Sequence, residues 1–188
     1  MRKHCFYLIL LFICTSGLVQ AQQHVSFFEE HIDFALDTDY FVINGIYSFH
    51  NTTDRPVNQQ ISFPFADKIS AIDSIRILNL NEGTKIPFNK AQNFVQFNLT
   101  LSPGDTVDVN IYYRQKVAIV NKYIITSTQT WGKPLDKAVY TLTTDKCAKI
   151  KSFSFAPDSI EERDGKRLYI WRKQHFMPVT DFEIVIDE

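Results

Sequence analysis

Thr106-Val107-Asp108-Val109-Asn110-Ile111-Tyr112-Tyr113 is the stretch that decides the fold. Successive side chains of a strand point to opposite faces, so Val107, Val109, Ile111 and Tyr113 share one side. Asp108, Asn110 and Tyr112 fall on the other. β-Branched and aromatic residues suit such a half-buried pleated surface. The same alternation extends outward in both directions. Upstream it runs through Ile32-x-Phe34-x-Leu36, then Phe41, Ile43, Gly45, Tyr47 and Phe49. Val57, Gln59, Ile61, Phe63 and Phe65 continue it, followed by Ile75 and Ile77, and then Val95, Phe97, Leu99 and Leu101. Downstream it marks strands at 123–128, 139–143, 151–155, 168–172 and 182–186.

Turn signals separate these runs. They are Asn51-Thr52-Thr53-Asp54-Arg55-Pro56, Asn81-Glu82-Gly83, Ser102-Pro103-Gly104-Asp105 and Asp164-Gly165. The last reads as a two-residue hairpin, since Gly takes a positive φ without a Cβ clash. Segments 67–75 and 158–163 each have room for a turn or two of helix, and neither is strongly periodic. Many short strands at regular spacing predict an all-β protein, an antiparallel β-sandwich of immunoglobulin-like or related type. The polar stretch 116–136 is a weak seam. It divides the chain into a sandwich unit at 22–115 and a second set of strands at 116–188 packed on the first. One continuous β domain over 22–188 is the alternative.

The first 21 residues read as a cleavable secretory signal. Arg2 and Lys3 precede an apolar run from Phe6 to Leu18, and Val19-Gln20-Ala21 offers small or modest side chains at the cleavage site. The run is shorter than the roughly 20 residues of a membrane span. Cys14 follows Ile13 and Cys5 follows His4, which argues against a lipid-modified cysteine. No second long apolar run occurs. The expected product is exported, periplasmic or extracellular, and has no membrane span once cleaved after Ala21.

Two of the 3 Cys lie in that leader, which leaves Cys147 and no internal disulfide. A single exported cysteine is expected to be buried as a small hydrophobe. A hydrophobic fraction of 45% with 16 Phe suffices for a core without staples. The net charge is −1, and the leader removes two basic residues and no acidic ones. Such a balance gives no electrostatic footprint for nucleic acid.

Candidate chemistry is sparse. Asp33, Asp37 and Asp39 cluster before a strand, as calcium ligands do, but without the EF-hand spacing. Asp-rich stretches are also ordinary turn composition. His24, His31, His50 and His175 are scattered without zinc spacing. His31 and Asp33 share a strand face and read as a surface pair. Lys146 and Lys149 flank Cys147, yet no catalytic signature surrounds it. Ser127 and Ser154 sit in strand-like runs, not in a nucleophile elbow. The reading is therefore no catalytic residue, no metal and no cofactor. Trp131, in Trp131-Gly132-Lys133-Pro134, is expected to plug a junction between packed units, with an exposed partner anchor as the alternative. Asn51 and Arg55 in their turn, with Trp131, are the candidate contacts for a protein partner. Asn51-Thr52-Thr53 and Asn98-Leu99-Thr100 match the glycosylation acceptor pattern, which matters only in a eukaryotic source.

The Asn-Thr-Thr-Asp turn, the strand ending in Phe63-Pro64-Phe65, the Trp131–Pro134 segment and Phe176-Met177-Pro178 before Phe182-Glu183-Ile184 together resemble bacterial exported β-sandwich proteins of unknown function. Those are in turn distantly similar to the vault and inter-alpha-trypsin type of β domain. The junction Val19-Gln20-Ala21-Gln22-Gln23 resembles exported proteins of Bacteroidota. The resemblance implies a periplasmic or surface location, a binding or scaffolding role and no catalytic residues. A small carbohydrate-binding module or hydrolase is the second expectation, with Trp131 and Trp171 as sugar-stacking candidates.

Overall fold

The computed structural model describes residues 24–187. The expected leader, with Cys5 and Cys14, lies outside them. The chain is an all-β sandwich, built as one broad sheet under two small ones. The broad sheet has eight strands in the order β12-β13-β10-β1-β2-β8-β4-β5. In chain order these are β1 (Val25–Leu36), β2 (Tyr40–Asn51), β4 (Ile72–Asn79), β5 (Thr84–Lys85), β8 (Thr106–Lys116), β10 (Leu135–Asp145), β12 (Ser159–Arg163) and β13 (Lys166–Phe176). One small sheet holds β3 (Val57–Pro64), β7 (Phe94–Leu101) and β6 (Phe88–Lys90). The other holds β11 (Ile150–Phe153), β14 (Phe182–Ile186) and β9 (Val120–Tyr123).

The alternation sets the layers. In β8 the side chains of Val107, Val109, Ile111 and Tyr113 are buried, while those of Asp108, Tyr112 and Arg114 lie on the opposite, wetter face. Aromatic rings tie the small sheets to the broad one. Phe34 of β1 stacks on Phe182 of β14 at 4.6 Å, and Trp171 of β13 meets Phe182 edge-on at 5.0 Å. Tyr113 of β8 meets Phe65 edge-on at 4.8 Å, just past β3. Such pairs add about 0.5–1.5 kcal/mol each beyond the area they bury.

Residues on both sides of position 116 share one sheet and one core. The link is β1, which pairs with β2 antiparallel and with β10 in parallel, Glu29 facing Lys137 and Asp33 facing Thr141. That parallel pair departs from the uniform antiparallel expectation. Asp164 and Gly165 form the expected two-residue hairpin between β12 and β13, with φ of 52° and 74°. Two local readings change. Segment 158–163 is mostly strand β12, an edge strand whose alternating apolar residues are too few to show a period. The expected strand at 123–128 ends at Tyr123, and the chain then turns into a 3₁₀ helix, Thr126–Trp131, closed by Gly132 at φ 67°. Polar Thr and Ser side chains compete for local backbone bonds, which favours such a turn.

Candidate functional site

The two small sheets do not form one layer. Between them, above the broad sheet, is a slot. On one side stand Ile61 to Pro64 of β3. On the other stand Tyr123, Ile124 and the 3₁₀ helix from Ser127 to Trp131. Phe27, Glu30, Tyr47, Phe49 and Ile111 of the broad sheet make the floor. The cavity it holds is about 50 Å³, room for a few water-sized groups.

A β-bulge builds the floor. Val25 and Phe27 point inward, and then the pairing of β1 with β2 slips between Phe27 and Glu29. The extra residue shifts the phase, so Glu30, Ile32, Phe34 and Leu36 point inward instead. Glu30 is thereby the acid on the core face, 3% exposed. Tyr140 of β10 donates a hydrogen bond to Glu30 Oε1, and no other side chain among the described residues donates to that carboxyl. Burial pushes the carboxyl up to about 7, against the smaller opposing effect of the Tyr140 bond. The hydroxyls of Tyr47 and Tyr123 share a hydrogen bond of 2.6 Å across the sheets. Burial, with the nearby Glu30 as a further cause, holds both phenols well above their usual range. Gly45 makes this arrangement possible. A Cβ there would lie 2.6 Å from Tyr47 Cζ, so only a glycine lets the ring fold back along β2.

Trp131 sits at the mouth. Its ring packs on Phe27 at 5.8 Å and Phe49 at 5.5 Å, and the residue stays half-buried. It is both a plug on the core and a surface aromatic. The expected contacts Asn51 and Arg55 lie at the same end of the sandwich, since Asn51 follows Phe49 by two residues. They behave differently. Arg55 is exposed. Asn51 is buried, and its amide donates to Arg55 O at 2.8 Å and Ser102 O at 2.9 Å. Its Oδ1 accepts from Thr53 N at 3.0 Å. Asn51 shapes the loop, and Arg55 is the part that solvent reaches.

The other candidates do not converge. His31 and Asp33 stand 3.3 Å apart on the open face of β1, both about half exposed, and Thr141 donates to Asp33. Asp37 accepts from the backbone of Asp39 and Tyr40 in its own turn. Among the described residues no group of three His, Cys, Asp or Glu is placed to hold a metal ion. Cys147 is exposed, a correction to the expected burial. β10 ends at Asp145, so Cys147 falls in the following turn, where Ala148 N donates to Asp145 O. Trp171 is fully buried, and its indole N–H donates to Phe155 O at 3.0 Å. Its role is in the core, not sugar stacking. Ser127 borders the slot. Ser154 caps the backbone of Glu183.

Glu30, Tyr47, Tyr123 and Tyr140 were not among the sequence candidates. The signal existed: Glu30 is in phase with Ile32, Phe34 and Leu36, which puts a carboxyl on the core side. The bulge that confirms the phase is visible only in the pairing.

Among the described residues no helix is long and apolar enough to cross a membrane. No family model matches the chain, and no curated protein does either. Solved structures do. A protein of Legionella pneumophila named for nutrient binding superposes with a TM-score of 0.68 at 15% identity, over 87% of this chain and 67% of that one. An M1 zinc metallopeptidase of Deinococcus radiodurans gives a TM-score of 0.51 at 11% identity, over 88% of this chain and 42% of that one. A two-domain M1 zinc metallopeptidase gives 0.53 at 15%, covering 43% of its length. The chain thus spans less than half the length of these two metallopeptidases, and at these identities what it shares with all three is a fold.

Proposed function

We propose that the protein is an exported, non-enzymatic β-sandwich that binds a protein partner or supports an assembly in the cell envelope. One observation carries the reading. The ring of Trp131 packs on Phe49, and Phe49 lies two residues before Asn51, whose amide holds the backbone of Arg55, so both features belong to one end of the sandwich. The loop is tied down by Asn51, and Trp131 by its packing on Phe27 and Phe49. Trp and Arg are residue types that dominate binding hot spots, and here Trp131 is half-buried and Arg55 exposed. The nutrient-binding name of one structural neighbour points the same way, toward binding. A photo-crosslinking residue at position 55, in cells of the source, tests it. The expected result is a discrete larger adduct that Trp131→Ala weakens. Recovery of monomer alone under all conditions contradicts it.

The carbohydrate-binding alternative loses one of its two aromatics, since Trp171 is fully buried. The hydrolase alternative loses its pair, since His31 and Asp33 lie half exposed on an open strand face.

A further inference from the structure

The slot holds an acid and no base. Glu30 is buried at its floor, and none of the described residues lining the cavity is Lys, Arg or His. The charged and titratable groups that face it are Tyr140 from β10, Tyr47 from β2 and Tyr123 from β9. All are phenols, neutral at physiological pH. A carboxylate has about four acceptor sites, and Tyr140 fills one. A buried carboxylate without a counter-charge is costly, and a cation entering the cavity removes that cost. The walls suit a cation too, because the faces of Trp and Tyr rings attract positive charge. At about 50 Å³ the space admits a small ammonium head and not a sugar.

We propose that this cavity is a binding site for a primary ammonium group, with Glu30 as its counter-ion and the rings of Tyr47, Tyr123 and Trp131 as its walls. Among the lining residues Ser62 and Thr130 are exposed and Pro64, Ile124, Ser127 and Trp131 are half-buried; most of these lie on or beside the 3₁₀ helix, so the cavity opens on that side. Ammonium binding needs the ionised carboxyl, so affinity rises with pH as Glu30 loses its proton. The site shares Trp131 with the proposed partner contact, but Glu30 belongs to the cavity lining and Arg55 does not, so Glu30→Gln and a crosslinker at position 55 let the two readings fail separately.

Calorimetric titration of the purified protein with methylammonium chloride tests it, at constant ionic strength, with potassium chloride and acetamide as controls. Saturable binding of methylammonium alone is expected near pH 8. Affinity should fall about thirtyfold near pH 5.5, following the ionised fraction of a group that titrates near 7. Glu30→Gln should weaken binding tenfold or more, and Trp131→Ala severalfold. Nα-acetyl-lysine amide forms a second arm: its binding assigns the site to lysine side chains, and its exclusion assigns it to free small amines. Equal binding of acetamide, binding unchanged in both variants, or no saturable binding overturns the proposal.

Discussion

Glu30 and Gly45 carry the account at the scale of single residues. The carboxyl of Glu30 is raised from 4.5 to about 7 by burial, so the folded state holds a proton that the unfolded chain releases. Below about pH 4.5 both states are protonated and its contribution is fully present. It is lost as pH climbs to about 7, on the order of 3 kcal/mol in all. Glu30→Gln has no such titration. Urea unfolding of both proteins across this range should show wild type losing stability relative to the variant as pH rises; a constant difference would refute the buried acid. Gly45→Ala should destabilise by about 1–3 kcal/mol, because the new Cβ overlaps ring atoms of Tyr47. The double variant with Tyr47→Phe should be no better, since the ring itself is in the way. Unfolding midpoints of the two check this. The sequence shows Glu30 in phase with Ile32 and Phe34, but says nothing of Tyr140, which lies 110 residues away and reaches it across a parallel pair of strands.

Strands were legible where polar and apolar residues alternate for a full run, as in β2, β7 and β8. They were obscure where the element is short or its phase breaks. β5 and β6 have two and three residues, too few for a period. The bulge in β1 reverses the phase midway, so the run from Val25 reads as two patterns. The turn at Asn51 was legible as a turn, while the burial of its first residue was not, because the covering carbonyls belong to Leu101 and Ser102. Asn51→Ala strips those carbonyls of their donor inside the protein. A loss of about 2–4 kcal/mol is expected, as for other broken buried networks. Chemical denaturation measures it, and a loss under about 0.5 kcal/mol, the level of an ordinary surface substitution, would show the loop to be held by other means.

Across the whole molecule, β1 joins the two halves of the chain. It takes β2 from one side of position 116 and β10 from the other, and the aromatic core runs beneath both. A core shared in this way predicts a single cooperative transition. Fluorescence of Trp131 and Trp171, separated by single Trp→Phe variants, should give the same midpoint as circular dichroism. Two separated midpoints would divide the chain near 116. The same architecture leaves the slot open where the small sheets fail to meet, and places Glu30, the one buried acid among the described residues, beneath it. The carbon-13 resonance of the Glu30 carboxyl, followed through pH with and without methylammonium, tests this most directly. The account predicts titration near 7 in the free protein, and a midpoint lower by one pH unit or more when the amine is bound. Titration near 4.5, or a midpoint that the amine leaves unmoved, would contradict it.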